Sequence, residues 1–147
     1  MSSIQHVHNE IRGLLRKKGL RATTPRIAVL TVLHEQQAPM THEQIMNTLS
    51  EQAFDKATVW RLLSELSTVS IVRRMDLGDR VWRYELLDSC RTVPSEHPHF
   101  LCGTCNNVVC LPDLTVISDE GRLPAALQGA QFQVRIEGTC KQCVSAA

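Results

Sequence analysis

The sequence predicts an α+β fold in two parts, with helices in the first half of the chain and short strands in the second. From Ile4 to Leu66, apolar residues recur at helical spacing, and β-favouring runs follow them. The second half also carries two matched CxxC pairs, which are typical of a small unit stapled by a metal. The 147 residues suffice for one ordinary domain or two small ones.

The first two predicted helices have clear boundary signals. The first covers residues 4–18, and Gly19 follows it in the C′ position, where glycine is favoured. Thr24 is expected to be the N-cap of the second helix. Pro25 then takes the first helical position, where the backbone needs no N–H donor.

The third and fourth helices are each opened by a capping residue. Residues 41–44 read Thr-His-Glu-Gln, which is a capping box, and Met40 and Ile45 can pack across it. Asp55 is the predicted cap of the fourth helix. The buried stripe of that helix is expected to be Val59, Leu62, Leu63 and Leu66.

A β-hairpin is predicted directly after the fourth helix. Its strands are residues 71–75 and 80–86, and residues 76–79 form the turn between them. Helices followed by a hairpin indicate a winged helix-turn-helix, so residues 1–86 are the predicted DNA-binding domain. In that fold the fourth helix enters the major groove and the hairpin is the wing.

Net charge is unevenly distributed. Residues 1–83 carry a formal charge of +4 and residues 84–147 carry −3, which leaves the chain at +1. This asymmetry favours nucleic acid at one end only. Since there is neither a run of 18 apolar residues nor a secretory signal pattern, we expect no membrane partner and a cytoplasmic location.

A polar hinge is predicted over residues 87–96, and residues 97–147 are the predicted second domain, of α/β type. This domain is expected to contain a hairpin of residues 100–102 and 108–111, a helix over residues 113–126, and a strand over residues 131–136. The first CxxC pair lies in the hairpin and the second follows the last strand.

The two CxxC pairs, Cys102 with Cys105 and Cys140 with Cys143, predict a structural zinc site. Four thiolates hold zinc tetrahedrally, with Zn–S bonds of ~2.3 Å. Two disulfides or a redox-active pair are the alternatives. Six cysteines in a chain with no secretion signal favour thiols or ligands over disulfides. A reductase CxxC should open a helix, whereas the first pair lies between strands, which disfavours a thiol oxidoreductase.

The exposed side of the fourth helix carries groups that suit DNA. Arg61 can take a guanine edge or a phosphate, and Lys56 adds a cation near the helix start. Thr58 and Trp60 suit thymine methyls and the backbone. The alternative for Trp60 is a half-buried core position.

Three residues around the start of the second helix, Arg21, Thr23 and Arg26, are further candidates for DNA contact. We expect them to touch phosphate or to reach the minor groove. The alternative is that their charges are only solvated.

Three segments resemble the ferric uptake regulator superfamily. They are residues 19–26 (GLRATTPR), residues 57–61 (ATVWR) and residues 97–105 (HPHFLCGTC), in the family's order. Trp60 replaces the family's usual tyrosine. The resemblance implies a homodimeric, metal-dependent transcriptional regulator, usually a repressor, that binds double-stranded operator DNA. It implies neither an enzyme nor a small-molecule substrate.

The resemblance also implies a regulatory metal site with ligands from the wing and the hinge. His97 and His99 alternate in an extended segment, so both imidazoles can reach one ion. Cys90 stands where zinc-sensing members place a cysteine, and a soft thiolate favours zinc. Asp76 matches a carboxylate that some zinc sensors contribute. The predicted set is therefore Asp76, Cys90, His97 and His99, and two zinc ions are expected per subunit.

Other residues leave the ligand set open. Glu85 matches a carboxylate of iron sensors and is the rival to Asp76. Cys110 stands where many relatives carry a ligating carboxylate, so it either ligates in its place or is a small buried strand residue. The two histidines could instead be surface residues. Phe132 stands where iron sensors often have a histidine, which argues against a further site.

Three other functional classes compete with zinc sensing. Within the family, the rival is an iron, manganese or peroxide sensor. Two residues argue against it: Cys90, and Pro39 at a position where a histidine would be expected. Outside it, the rivals are an enzyme (a thiol oxidoreductase or a zinc hydrolase) and a zinc-ribbon module without a DNA role. The helical pattern and the uneven charge oppose the zinc-ribbon module.

Overall fold

The computed structural model describes residues 3–36, 38–87, 97–115, 124–129 and 134–146. They belong to two compact units, Met1–Ser95 and Glu96–Ala147. Helices predominate in the first unit and strands in the second, so the predicted α+β class is confirmed. Among the described helices, none has both the length and the apolar character needed to cross a bilayer.

The first unit is a winged helix-turn-helix, with four helices and a three-stranded antiparallel sheet. Its helices are α1 (Ser3–Lys17), α2 (Thr24–Gln36), α3 (His42–Thr48) and α4 (Lys56–Thr68). Its strands are β1 (Met40–Thr41), β2 (Val72–Asp76) and β3 (Trp82–Leu86), in the order β1-β3-β2. A short 3-10 turn, Ser50–Gln52, separates α3 from α4. The wing is the β2–β3 hairpin, residues 72–86.

The predicted end of α1 is confirmed in atomic detail. Gly19 has φ of 73°, and its N–H donates to the carbonyl of Arg16 at 3.0 Å. The N–H of Leu20 donates to the carbonyl of Leu15 at 2.9 Å. These two bonds define a Schellman motif, for which glycine is favoured because it adopts positive φ without strain.

The start of α2 differs by one residue from the prediction. The helix includes Thr24, and the N–H of Ile27 donates to the carbonyl of Thr23 at 3.0 Å. Thr23 is therefore in the capping position, and the prediction that Thr24 is the cap was wrong. Pro25 becomes the second helical residue, where its missing N–H is equally harmless because the first turn has no intrahelical acceptor for it.

The predicted caps of α3 and α4 are confirmed. Thr41 accepts from the N–H of Gln44, and the Gln44 side chain accepts from the N–H of Thr41, which completes the capping box. Asp55 accepts from the N–H of Thr58 at 2.9 Å. Strand β1 was not predicted, because two residues are too few to display the alternation that identifies a strand.

One core holds the first unit together. All four helices and all three strands contribute to it, so α4 is fixed on its buried side and presents its opposite side outward. Val59, Leu63 and Leu66 are fully buried and Leu62 is partly buried, in agreement with the predicted stripe.

The second unit contains a three-stranded mixed sheet. Its strands are β4 (His99–Cys102), β5 (Val108–Cys110) and β6 (Arg135–Gly138), in the order β5-β4-β6, and α5 (Lys141–Ser145) follows. Strand β4 pairs antiparallel with β5 and parallel with β6. At the β6 edge a Cβ at Gly138 would lie 3.2 Å from the Phe100 ring, so any larger residue there would require that ring to shift.

Two predicted elements of this unit are changed. Within the predicted helix over residues 113–126, residues 113–115 are not helical and only a 3-10 turn, Ala125–Leu127, is found. The predicted strand over residues 131–136 begins at Arg135 and runs on to Gly138. Residues 116–123 and 131–133 lie outside the described residues, as does Phe132. Proline at position 124 suits a 3-10 turn better than a continuing helix.

Candidate metal centres and nucleic-acid interface

Four cysteine thiols converge at one end of the second sheet. Cys102 ends β4, and Cys105 follows in the turn after it. Because β6 runs parallel to β4, it delivers Cys140 and Cys143 to the same end, at the start of α5. One sulfur from each residue lies within 4.8 Å of the other three.

This cluster fits a zinc ion. The Sγ atoms of Cys105 and Cys140 are 3.8 Å apart, and the S···S edge of a tetrahedron with Zn–S bonds of ~2.3 Å is about 3.8 Å. Backbone N–H groups of Cys105 and Cys140 lower the pKa of the Cys102 thiol to about 6. Hydrogen bonds within the cluster raise the pKa of Cys143 to about 12, and the bond with Cys140 makes the largest contribution. Without a cation, therefore, one thiol of the cluster ionises easily and another resists ionisation. A bound cation would remove this difference, since it stabilises all four thiolates together.

A second group of metal-ligating side chains lies within the same unit. His99 begins β4 and pairs directly with Cys110 at the end of β5. The ring centroids of His97 and His99 are 4.5 Å apart, and both residues bury their Nε2 atoms. One ligand atom from each of the three residues lies within 4.8 Å of the others. Two imidazoles and one thiol form a donor set that suits zinc.

The other predicted regulatory ligands belong to the wing and the hinge. Asp76 is exposed at the end of β2, and its Oδ1 accepts from the N–H of Gly78 at 2.7 Å and of Arg80 at 3.2 Å. Glu85 is buried on β3, and its Oε2 accepts from the Arg73 guanidinium at 2.8 Å. Cys90 lies outside the described residues.

The outer side of α4 carries exposed groups, as predicted. Lys56 and Arg61 are exposed, and Trp60 has 54% of its surface accessible, so it is not part of the core. Thr58 has a capping role: its Oγ1 donates to Asp55 Oδ2 at 2.5 Å. The hydrogen bond from the Thr58 hydroxyl contributes most to lowering the pKa of the Asp55 carboxyl, and bonds from backbone N–H groups contribute next. The lowered pKa keeps the cap ionised.

Arg26 forms an internal ion pair that sequence reasoning missed. Its Nη2 donates to Glu65 Oε1 at 2.8 Å and its Nε to Glu65 Oε2 at 3.3 Å, so the guanidinium links α2 to α4. Its Nη1 donates to the carbonyl of Arg21 at 2.8 Å. Arg21 and Thr23 are exposed. The two partners are 39 residues apart, so no local pattern marks the pair.

The wing carries two further contacts that sequence reasoning missed. The Arg74 guanidinium carbon lies 4.2 Å from the centroid of the Trp82 ring, a cation–π arrangement. Arg83 is only 2% exposed and donates from two nitrogens to the two Asp79 oxygens, at 2.9 and 2.7 Å. Alternation along β3 marks which residues share a face, and it does not reveal these partners.

Comparison with known proteins gives consistent matches along most of the chain. The sequence profile of the ferric uptake regulator family matches residues 17–133. The ferric uptake regulation protein of Haemophilus ducreyi is 33% identical over 100 residues, which are 65% of this chain and 64% of that protein. The peroxide-responsive repressor PerR of Staphylococcus epidermidis is 25% identical over 147 residues, covering 97% of this chain and 94% of that one.

The fold also matches a solved structure. The Helicobacter pylori ferric uptake regulator Fur superposes with a TM-score of 0.65 at 18% identity, covering 97% of this chain and 95% of that one. At that identity the likeness concerns the fold alone, and the chemistry of each site has to be argued from its own residues.

Proposed function

The chain belongs to the ferric uptake regulator family and is therefore a metal-responsive transcriptional regulator rather than an enzyme, and we propose that the metal it senses is zinc. We further propose that it acts as a dimeric repressor of zinc uptake genes, on operator DNA in the cytoplasm. Under this proposal residues 1–86 bind DNA, residues 87–96 form the hinge and residues 97–147 dimerise.

The group formed by His97, His99 and Cys110 carries the zinc assignment. Carboxylate and water ligands suit manganese, whereas a thiolate beside two imidazoles favours zinc. The sequence places Cys90, a second thiol, seven residues before His97. We therefore propose a regulatory site in which His97, His99 and Cys90 are ligands and Cys110 is the first candidate for a fourth.

The wing carboxylates remain the other candidates for completing the site. Asp76 uses Oδ1 to cap the wing turn, and Glu85 shares its carboxylate with Arg73. If the fourth ligand is an oxygen rather than the Cys110 thiolate, Asp76 is its first candidate and Glu85 the rival. Mutagenesis at these three positions decides among them.

The four-cysteine cluster is the proposed structural zinc site, which brings the proposed total to two zinc ions per subunit. Its sulfur spacing matches a closed tetrahedron, and four thiolates leave no coordination position for a substrate or water. His97 and His99 lie just before the first of these cysteines, Cys102, so the structural site would also hold the segment that carries the regulatory ligands.

The proposed switch acts through residues that lie far apart in the sequence. Zinc at the regulatory residues would supply a cross-link between the hinge and the C-terminal sheet. Cys90 belongs to the hinge, so holding it restricts the spacings that the two winged helices of a dimer can sample. The α4 helices, with Arg61 and Trp60 outward, are then available at the fixed separation that two operator half-sites demand.

A metal titration of DNA binding tests this proposal. Metal-free protein is supplied with zinc, ferrous iron or manganese in buffered series, and its affinity is measured for a duplex selected from a random-sequence library. We expect zinc to promote binding at the lowest free concentration. The assignment fails if ferrous iron or manganese activates binding while zinc does not.

A peroxide-responsive regulator is the second candidate, because a relative of that name aligns along 97% of this chain. The same assay distinguishes the two functions. A peroxide sensor would bind DNA with ferrous iron and lose binding on addition of hydrogen peroxide. A zinc sensor would show neither behaviour at the peroxide concentration that inactivates the iron form.

A further inference from the structure

The imidazole of His42 joins the two helices of the helix-turn-helix. His42 is the first residue of α3, and its Nε2 atom lies 3.1 Å from the backbone oxygen of Lys56, the first residue of α4. A carbonyl oxygen can only accept, so the ring nitrogen carries the hydrogen and donates it. The bond therefore connects the starts of two helices across 14 residues of sequence.

Both ends of this bond are held in place. The capping box fixes the first turn of α3, because Thr41 and Gln44 exchange hydrogen bonds of 3.1 and 2.8 Å on either side of His42. In α4 the carbonyl of Lys56 also accepts the helical hydrogen bond from the N–H of Trp60, since an oxygen with two lone pairs can serve both donors. The imidazole thus acts on the helical turn that carries Trp60.

Core packing by itself does not set the angle of this end of α4. Ile45 of α3 and Val59 of α4 are buried in the same core, and apolar contact is non-directional. Residues 50–53, which connect the two helices, are exposed. The Asp55 cap bonds within α4 itself, so it defines where the helix begins and not how the helix is set against α3. The directional hydrogen bond from His42 supplies that constraint.

We propose that His42 is a positioning residue for sequence-specific DNA recognition, whose hydrogen bond sets the start of α4 so that Trp60 and Arg61 meet the bases of an operator. This inference rests on the proposed DNA-binding function. In a helix-turn-helix the first residues of the recognition helix contact base edges, so a small shift at this end moves the base-reading groups directly. Phosphate contacts carry no sequence information. Losing the bond should therefore reduce discrimination between sequences rather than general DNA binding.

A direct phosphate contact is the other role that an imidazole at this place could have. A cationic ring bound to phosphate would add to the salt dependence of binding and would strengthen all duplexes alike. A ring that positions α4 would leave the salt slope unchanged and would affect only the recognised sequence. Because the Lys56 carbonyl already engages Nε2, the geometry favours the positioning role.

Affinity for two duplexes tests the proposal. Full-length, zinc-loaded protein is titrated with the library-selected duplex and with a scrambled duplex, over a series of salt concentrations. The variants are His42→Ala, His42→Phe, which keeps a ring without a donor, and His42→Gln, whose amide nitrogen takes the place of Nε2. Asn47→Ala, at an exposed polar residue of the same helix, is the matched control. Urea unfolding followed by tryptophan fluorescence verifies that each variant is folded.

The expected result is a loss confined to the selected duplex. His42→Ala and His42→Phe should each lower the affinity for that duplex by about 3- to 10-fold, which is the effect of about one hydrogen bond. Their affinity for the scrambled duplex and their salt slope should not change. His42→Gln should retain most of the wild-type affinity because it restores the N–H donor, and Asn47→Ala should match the wild type. Should His42→Ala not fold, the comparison of His42→Phe with His42→Gln makes the same test.

Four results would overturn the proposal, and they are distinguishable. If the wild type binds the selected duplex and His42→Ala and His42→Phe keep its affinity, the positioning role is wrong and the regulator assignment stands. An equal loss on both duplexes with a lower salt slope would assign His42 to a phosphate contact. A loss in His42→Gln as large as in His42→Phe would show that the hydrogen bond is not the cause. If the wild type with zinc binds neither duplex, the DNA-binding function fails and the positioning role with it.

Discussion

Cys110 lies directly opposite His99 in the antiparallel pairing of β4 with β5. The backbone register therefore brings this thiol and imidazole together. His97 joins them from the segment just before β4, with its ring centroid 4.5 Å from that of His99. Two rigid strands thus pre-organise a partial metal site within one unit, which lowers the entropy that binding must overcome.

Under the proposed zinc assignment, replacing Cys110 by serine should weaken the response to zinc and leave the proposed structural site filled. Losing even an outer-shell partner costs about 10- to 100-fold in metal affinity, and a direct ligand should cost at least as much. The measurement is the free zinc concentration at half-maximal DNA binding, together with the zinc content of the protein. We expect a shift of at least tenfold and one retained zinc per subunit.

Val109→Ser is the matched control, because Val109 is the exposed neighbour of Cys110 on the same strand. It should leave the zinc response unchanged. An unchanged zinc response in Cys110→Ser would mean that Cys110 is only a packing residue, and Asp76 or Glu85 would then be the remaining candidates for the fourth ligand.

Breaking the Arg26–Glu65 pair should disturb the placement of α4. The pair is bidentate and Arg26 is largely buried, so Arg26→Ala and Glu65→Ala should each destabilise the first unit by about 1 kcal/mol. A double-mutant cycle measured by urea unfolding should show coupling of similar size. Both variants should also weaken DNA binding to a similar degree.

This pair of variants also decides between two roles for Arg26. If its role is to position α4, Glu65→Ala reproduces the DNA-binding defect and the salt slope does not change. If Arg26 contacts phosphate, Arg26→Ala alone weakens binding and lowers the slope by about one per subunit. Arg21→Ala provides the comparison, because Arg21 is exposed nearby and only its backbone carbonyl meets the guanidinium.

Local signals predicted the local structure well. The capping box at Thr41, the Asp55 cap and the glycine end of α1 depend on residues within one helical turn, so the sequence displays them directly. The four-cysteine cluster was also predictable, because the spacing within each pair is a ligand spacing and two such pairs complete one tetrahedron.

Contacts between distant residues were not predictable in the same way. The partner of Arg26 is 39 residues away, and the proximity of Cys110 to His99 depends on a strand register that no short pattern specifies. The same holds for Arg74 and Trp82, which only the pairing of β2 with β3 brings together. The type of each side chain identified it as a candidate for a site. Which side chains lie next to one another depends on strand pairing and helix packing, which the sequence does not display directly.

The wing should lose stability in acid through Asp79. Hydrogen bonds from Arg83 hold the pKa of the Asp79 carboxyl below its ordinary value. Because the folded pKa is depressed, the stabilisation is complete above the unfolded pKa of about 3.9 and is lost as the pH falls through the folded value. Asp79→Asn should therefore unfold more easily near neutral pH, by about 1–3 kcal/mol, and show a shallower decline in acid.

Tryptophan fluorescence can follow this change in one unit only. The chain has two tryptophans, Trp60 and Trp82, and both lie in the first unit, so acid release of zinc from the cysteine cluster does not dominate the signal. Urea unfolding is measured across a pH series for the wild type and Asp79→Asn. Glu51→Gln, at an exposed carboxylate outside the wing, is the control. Parallel pH profiles for wild type and Asp79→Asn would contradict the prediction.

Removing the proposed zinc of the four-cysteine cluster should unfold the second unit and spare the first. Among the described residues of the second unit, few apolar side chains are buried, chiefly Leu101 and Val108, whereas the first unit has a continuous core. A small unit with so little buried apolar surface depends on its metal for folding. Cys140→Ser should therefore make the chain from about residue 96 onward sensitive to protease, while the tryptophan-detected unfolding of the first unit stays as in the wild type.

Limited proteolysis with mass spectrometry gives the cleavage sites. Cys110→Ser is the control, because it should keep the metal of the four-cysteine cluster. Protection of the second unit in metal-free Cys140→Ser would show that its fold does not need the metal.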